Sequence, residues 1–214
     1  MAKTLYDYWF VQFDFPDENW KPYKSSGWKM VWSDELKREI PEGWGVEKIS
    51  KIINLDKSWD WGKESKEWNY NQQVLCIRWT DLNWLNWKWE LNPPMRYILE
   101  KNIFKILEHN DLIIEISWWS PTQSTGRLSF ITKKTLERFN VPLICSNFCR
   151  PIWLKNKKFL YNFVYYWNRL YENWIFFWYE WKTSGIKNLL LESFIETNYI
   201  IVPKENIINN FLII

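Results

Sequence analysis

Glycine is scarce in this chain: 6 of its 214 residues, where average usage of about 7% would supply roughly 15. Histidine occurs once, as His109, and cysteine three times, as Cys76, Cys145 and Cys149. One histidine remote in sequence from the cysteines does not supply a four-ligand zinc site, and we expect no bound metal. It also supplies no convincing nucleophile–histidine–acid set, and the chain has no Gly-rich phosphate loop. We therefore expect no catalytic residue and no cofactor. The odd number of cysteines argues against a disulfide framework and fits a reducing cytoplasm, with buried thiols and a surface histidine. No run of 18 apolar residues is present, so no membrane span is expected, and no secretory signal is expected at the N-terminus.

What the chain has instead is tryptophan, 19 residues of it. Many sit where glycine is expected: Asn19-Trp20, Asn83-Trp84, Asn86-Trp87-Lys88-Trp89 and Asn173-Trp174. Asn-Gly is a favoured turn dipeptide because both residues tolerate positive φ, and tryptophan does not share that tolerance. We read many of these tryptophans as standing in glycine positions. Translation of a reassigned stop codon by the wrong genetic code produces this pattern.

The formal net charge is only +3, but its distribution is uneven. Between Ile116 and Tyr171 lie Arg127, Lys133, Lys134, Arg138, Arg150, Lys155, Lys157, Lys158 and Arg169, against the single acid Glu137. Such a stretch is either an electrostatic footprint for nucleic acid or a solvated surface. Acid pairs such as Glu64/Glu67 and Asp34/Glu35 read as solvated surface.

Along the chain, residues 1–15 place Leu5, Tyr8, Trp9 and Gln12 near helical spacing. Residues 17–30 read as a connecting loop. Residues 33–39 read as a short helical turn capped by Ser33 and stopped by Pro41. Strands are expected at 73–78, 111–117, 128–132, 143–148 and 199–203, with 128–132 the hairpin partner of 111–117. The best-supported helix is FLYNFVYYWNRLY, residues 159–171. Residues 172–188 read as a loop, and 204–214 as the start of another helix.

Three polar clusters mix small hydroxyl residues with Arg, Lys, Asn or Gln: residues 117–127, 146–150 and 182–188. Arg can grip a guanine edge with two hydrogen bonds, Asn or Gln an adenine edge, and Lys suits phosphates. Equally, these are residues of ordinary turns that bond their own backbone. The many aromatics also allow a rival reading, a carbohydrate- or peptide-binding module built on stacking platforms.

With glycine written at Trp118 and Trp119, the first cluster becomes ISGGSPTQSTGR. At Trp79 the change gives IRGTDL, and at Trp174 and Trp181 it gives NGIFFWYEGKTSGIKNL. YDYWFVQFDFPDEN, SNFCR and KTSGIKNL need no change. In this form the chain, from Tyr6 to about Pro203, resembles the specificity subunit of type I restriction-modification systems. Members of that family carry two target recognition domains separated by long helices. Each domain reads half of a split DNA site, and the helices dock methyltransferase subunits. Methylation of adenine and ATP-driven cleavage belong to partner subunits.

The resemblance implies an α+β fold: a mixed sheet with short helices forming one target recognition domain, preceded by the tail of a spacer helix and a linker. It implies a division into residues 1–40 (helix end and linker), 41–203 (recognition domain) and 204–214 (the start of a C-terminal helix). Candidate DNA-binding residues are Arg78, Thr80, Ser120, Thr122, Gln123, Ser124, Arg127, Lys133, Lys134, Asn147, Arg150, Lys182, Lys187 and Asn188. Stretches 83–96 and 133–141 are alternative readers of bases. Expected partners are double-stranded DNA, the methyltransferase subunit and, through it, the restriction subunit, with a second half-subunit or a second copy as companion. The chain departs from the family in lacking a first recognition domain and most of the central helix. It is thus either a half-length subunit that pairs with another chain, or an inactive fragment of a split gene.

Overall fold

The computed structural model describes residues 2–86, 91–119 and 122–213. The aromatic N-terminal run is helical, with α1 at Ala2–Tyr6 continuing as one π turn, Asp7–Val11. After a loop come β1 (Met30–Ser33) and β2 (Arg38–Pro41). The main body opens with β3 (Gly45–Lys48), α2 (Ile49–Ile52), β4 (Ile53–Asn54), β5 (Tyr70–Ile77) and β6 (Met95–Leu99). It continues through β7 (Leu112–Glu115), β8 (Ser117–Trp118), β9 (Leu128–Phe130), α3 (Lys133–Arg138), β10 (Leu143–Cys145) and β11 (Cys149–Leu154). The last part holds α4 (Leu160–Glu172), β12 (Glu180–Thr183), β13 (Ile186–Leu189), α5 (Leu191–Thr197), β14 (Tyr199–Val202) and α6 (Glu205–Ile213).

The strands form several small sheets in a mixed α+β architecture. The four-stranded sheet has the order β4-β11-β7-β9, all antiparallel. In the sheet β10-β5-β6, β10 runs parallel to β5. Strand β7 is fully buried, so Leu112 and Ile114 face one hydrophobic cluster and Ile113 another. This follows from the period of two along a strand.

Helix α4 lays Leu160, Phe163, Val164 and Trp167 onto the first of those clusters. Their near-helical spacing is the amphipathic stripe legible in the sequence. In a further cluster, Tyr6, Trp9 and Phe10 pack with Trp44, Ile207 and Phe211, so the first and last helices share one aromatic cluster. Cys76, Cys145 and Cys149 are buried free thiols. Among the described residues no His/Cys/Asp/Glu group could hold a metal, and no helix is long and apolar enough to cross a membrane.

Two expectations fail. Residues 33–39 are not helical: they are the turn of the β1–β2 hairpin, paired Ser33↔Arg38 and Trp32↔Glu39. Ser33 Oγ does accept the Leu36 N–H, at 3.3 Å, but Lys37 takes φ 51° and redirects the chain into β2. A capping residue and a turn residue carry the same local signal, and strand pairing decided between them. Residues 172–188 are not simply a loop: they hold a 3-10 turn, Ile175–Tyr179, and most of the β12–β13 hairpin.

Several tryptophans fit their places poorly. Trp20, Trp68 and Trp174 have φ of 61°, 46° and 59°, in the left-handed region. The Trp118 and Trp153 indole N–H groups are buried without an acceptor. Trp79, Trp118, Trp119 and Trp181 were read as glycine positions too, but their backbones are not left-handed, so conformation does not demand glycine there. Trp84 ends a 3-10 turn, Leu82–Trp84, and Trp87 and Trp89 lie outside the described residues.

Candidate nucleic-acid interface

The segment 115–127 leaves β7 and returns into β9, and the ladder between those strands closes its base. Glu115 N–H donates to the Arg127 carbonyl at 2.8 Å, and Gly126 N–H to the Glu115 carbonyl at 3.0 Å. Across this neck the Arg127 guanidinium pairs with the Glu115 carboxylate, which is wholly buried. Burial pushes the Glu115 carboxyl above its usual range, and the Arg127 hydrogen bonds and charge oppose that shift. Gly126 is placed by close packing. Its φ is 101°, a Cβ there would lie 2.6 Å from the Phe176 ring, and its carbonyl accepts the Trp167 indole N–H at 2.7 Å.

The rest of the segment is tied to the β12–β13 hairpin. Strand β8 pairs with β13, Trp118 opposite Lys187 and Ser117 opposite Asn188. Ser117 Oγ donates to Asn188 Oδ1 at 2.8 Å. Glu180 accepts Ser124 Oγ at 2.7 Å, Thr125 N–H at 2.5 Å and Thr125 Oγ1 at 3.0 Å. Lys187 donates to the Gln123 carbonyl at 2.7 Å and lies 3.6 Å from Glu180, both side chains being buried. A cation alternating with Leu189 on the inward face of β13 is tolerated because it is paired.

The segment 146–150 packs against the same strands. Ile116 and Ser117 N–H groups both point at the Phe148 carbonyl, at 2.9 and 3.3 Å, while Leu189 N–H bonds the Ile116 carbonyl at 2.8 Å. The three polar clusters, far apart in sequence, are thus one continuous piece of structure. Beside them opens a cleft of about 460 Å³ lined by Trp59, Trp61, Arg78, Trp79, Ser146, Asn147 and Phe148. Arg78 is held there by both oxygens of Asp81 at 3.1 Å, and part of its side chain stays exposed. Its hydrogen bond to Asp81 keeps the guanidinium above its ordinary range, with burial opposing. Trp79, Trp118 and Trp119 form a ring cluster at this edge, and Arg127 stacks 4.9 Å from the centroid of the Trp118 ring.

The chain matches no family model and no curated protein. Solved structures do match. A chain of a type I restriction-modification system, from work on complex assembly and conformational transition, is 10% identical over 82% of this chain and 38% of its own, with a TM-score of 0.51. The likeness is one of fold. The specificity subunit from M. genitalium is 14% identical over 76% of this chain and 34% of its own, with a TM-score of 0.41. The HsdS subunit from Thermoanaerobacter tengcongensis is 12% identical over 98% and 41%, with a TM-score of 0.45. The chain therefore spans well under half the length of the solved structures it matches.

On this fold the candidate residues separate into groups. Arg78, Asn147 and the exposed Thr80 lie at or beside the cleft, and exposed Thr122 and Gln123 at the neighbouring loop. Lys182 is exposed on β12, and Asn188 is half-buried against Ser117. Ser124, Arg127 and Lys187, expected to face DNA, are turned inward and bonded to Glu180, Glu115 and the Gln123 carbonyl; their polar groups hold the loop in place. Arg150 likewise spends its guanidinium on the Leu55 carbonyl at 2.9 Å.

Lys133 and Lys134 are exposed but begin α3, which follows the far end of β9 from the loop. Ser120 lies outside the described residues, as does part of the stretch 83–96. The residues missed from sequence are acids, Glu115 and Glu180. Glu115 was visible as an acid inside an apolar strand run, a position that calls for a buried cation.

Proposed function

We propose that this chain is a sequence-reading module for double-stranded DNA, acting as the specificity subunit, or half of one, of a type I restriction-modification complex. The convergence of three polar clusters beside a cleft carrying Arg78 and Asn147 supports this reading most directly. The likeness in fold to a chain of a type I restriction-modification system agrees with it. In this reading Arg78, Asn147, Thr80, Thr122, Gln123 and Asn188 meet bases or nearby phosphates, and Lys182 meets phosphate. Lys133 and Lys134 belong to a separate phosphate contact, or to a base-reading stretch 133–141.

The chain itself performs no chemistry in this reading. Methylation and cleavage fall to methyltransferase and restriction subunits recruited in the cytoplasm. Residues 41–203 form the recognition domain. The helical start of residues 1–40 and the helix of 204–214, joined through the Tyr6–Phe211 aromatic contact, belong to spacer helices, with the rest of 1–40 as linker, and a companion half-subunit or second copy would dock onto them.

Titration of labelled duplexes, first from a random pool and then with a selected sequence, tests the proposal at several salt concentrations. Affinity should fall with salt at a slope of about −0.9 per phosphate neutralised. No binding, with methyltransferase subunit present, would defeat it. The aromatic walls of the cleft, Trp59, Trp61, Trp79 and Phe148, favour a second reading as a sugar- or peptide-stacking site. That reading predicts binding indifferent to salt.

A further inference from the structure

Glu180 is the common point of the loop's attachments, yet its carboxylate is buried. It holds two hydroxyls and one backbone N–H from Ser124 and Thr125, and faces the Lys187 ammonium. Lys187 in turn grips the carbonyl of Gln123. Three consecutive residues, 123–125, are therefore anchored by a single ion pair presented from the β12–β13 hairpin. Just outside this anchor, Thr122 and Gln123 are exposed.

We propose that Glu180 is a positioning residue for sequence readout: it touches no DNA, and it fixes the geometry in which Thr122 and Gln123 meet base edges. The inference rests on the DNA-reading function proposed above. A loop rich in Ser and Thr has many alternative hydrogen bonds to its own backbone, so without an outside anchor it samples several shapes. Base-edge hydrogen bonds are directional and weaken steeply when misaligned, whereas attraction to phosphates is long-ranged and tolerant. Releasing the anchor should therefore lower discrimination between sequences and leave salt-dependent binding in place.

The test uses the full chain, a duplex selected from a random pool and a scrambled duplex of equal length. Three proteins are compared: wild type, Glu180→Gln, and the double variant Ser124→Ala with Thr125→Val. The double variant removes the hydroxyls but leaves the Glu180–Lys187 pair intact, so no buried charge is orphaned. Each variant should lose about 10- to 100-fold in the ratio of specific to scrambled affinity, the penalty of roughly one misread base pair. The salt slope should stay unchanged, and the amides of residues 123–125 should exchange hydrogen faster.

Folded variants that keep the wild-type ratio would overturn the inference while leaving DNA reading intact. Equal losses on both duplexes would also overturn it, since that is what a merely structural residue does. A wild-type chain that discriminates between no duplexes would remove DNA reading, and this inference with it. Where Glu180→Gln fails to fold, the double variant decides.

Discussion

Replacing Trp20, Trp68 and Trp174 with glycine together should stabilise the protein. Trp174 shows why. Helix α4 ends at Glu172, Asn173 N–H still reaches the Arg169 carbonyl, and Trp174 N–H reaches the Tyr171 carbonyl, both at 3.1 Å. Trp174 then turns into φ 59°, ψ 23°, the place just past a helix end where glycine normally sits. An L-residue in that conformation pays about 1–2 kcal/mol. Glycine removes the penalty but gives back roughly 0.5–1 kcal/mol in unfolded-chain entropy.

Little packing is lost at Trp20 and Trp68, which are 82% and 99% exposed, whereas Trp174, 51% exposed, gives up packing that offsets its conformational gain. The net gain is about 0.5–1 kcal/mol each at Trp20 and Trp68, and distant sites add, giving roughly 1–2 kcal/mol for the triple variant. For a chain of this size that corresponds to a rise of about 2–8 °C in melting temperature. Thermal and urea unfolding followed by circular dichroism measure it. Trp32→Gly serves as the control: Trp32 is exposed too, but it lies in strand β1, where glycine weakens the strand. A triple variant no more stable than its parent would refute the reasoning. Intact mass of the protein made in its native host answers directly whether these positions hold glycine.

Other outcomes follow from the loop and the core. Arg127→Ala strands the buried Glu115 carboxylate and should cost about 3–5 kcal/mol in chemical denaturation. Because burial raises the Glu115 carboxyl, the folded state keeps that proton longer than the unfolded chain does. Its contribution to stability is full below the ordinary glutamate range and is lost as pH rises through the raised value. Glu115→Gln should therefore flatten the fall of unfolding free energy across mildly acidic pH. Gly126→Ala combines φ 101° with a Cβ 2.6 Å from the Phe176 ring and should cost about 1–3 kcal/mol, measurable by urea titration. Burial pushes the Cys76 thiol up to about 12 and raises Cys145 and Cys149 as well. A thiol-specific reagent at mildly alkaline pH should label none of them until denaturant is added.

Much of the fold was legible where one local signal stood unopposed. The apolar run 112–115, its partner 128–130 and the amphipathic stripe of α4 each follow from a period of two or of 3.6. The helical residues 2–11 and the closing strand β14 were legible for the same reason. Where two structures share one signal, the reading went astray: Ser33 can cap a helix or close a hairpin turn. The hairpin at 180–189 went unseen because a charged strand shows no hydrophobic alternation. Its Lys187 sits on the core side only because Glu180 is there to meet it.

By itself, the sequence determined where the three small polar clusters lie and that tryptophan occupies turn positions such as Asn173-Trp174. Those conclusions depend on residue type and short spacing, which folding does not alter. Tertiary structure decided what each polar group does. Arg127, Ser124 and Lys187 look the same in sequence as Arg78, Thr122 and Lys182. The first three are anchors turned inward and the last three remain at least partly exposed, because a polar side chain's role depends on the burial and the partners that the fold brings to it and not on its residue type. Glu115 meets Arg127 from 12 residues away along the chain, and Glu180 meets Ser124 from 56 residues away.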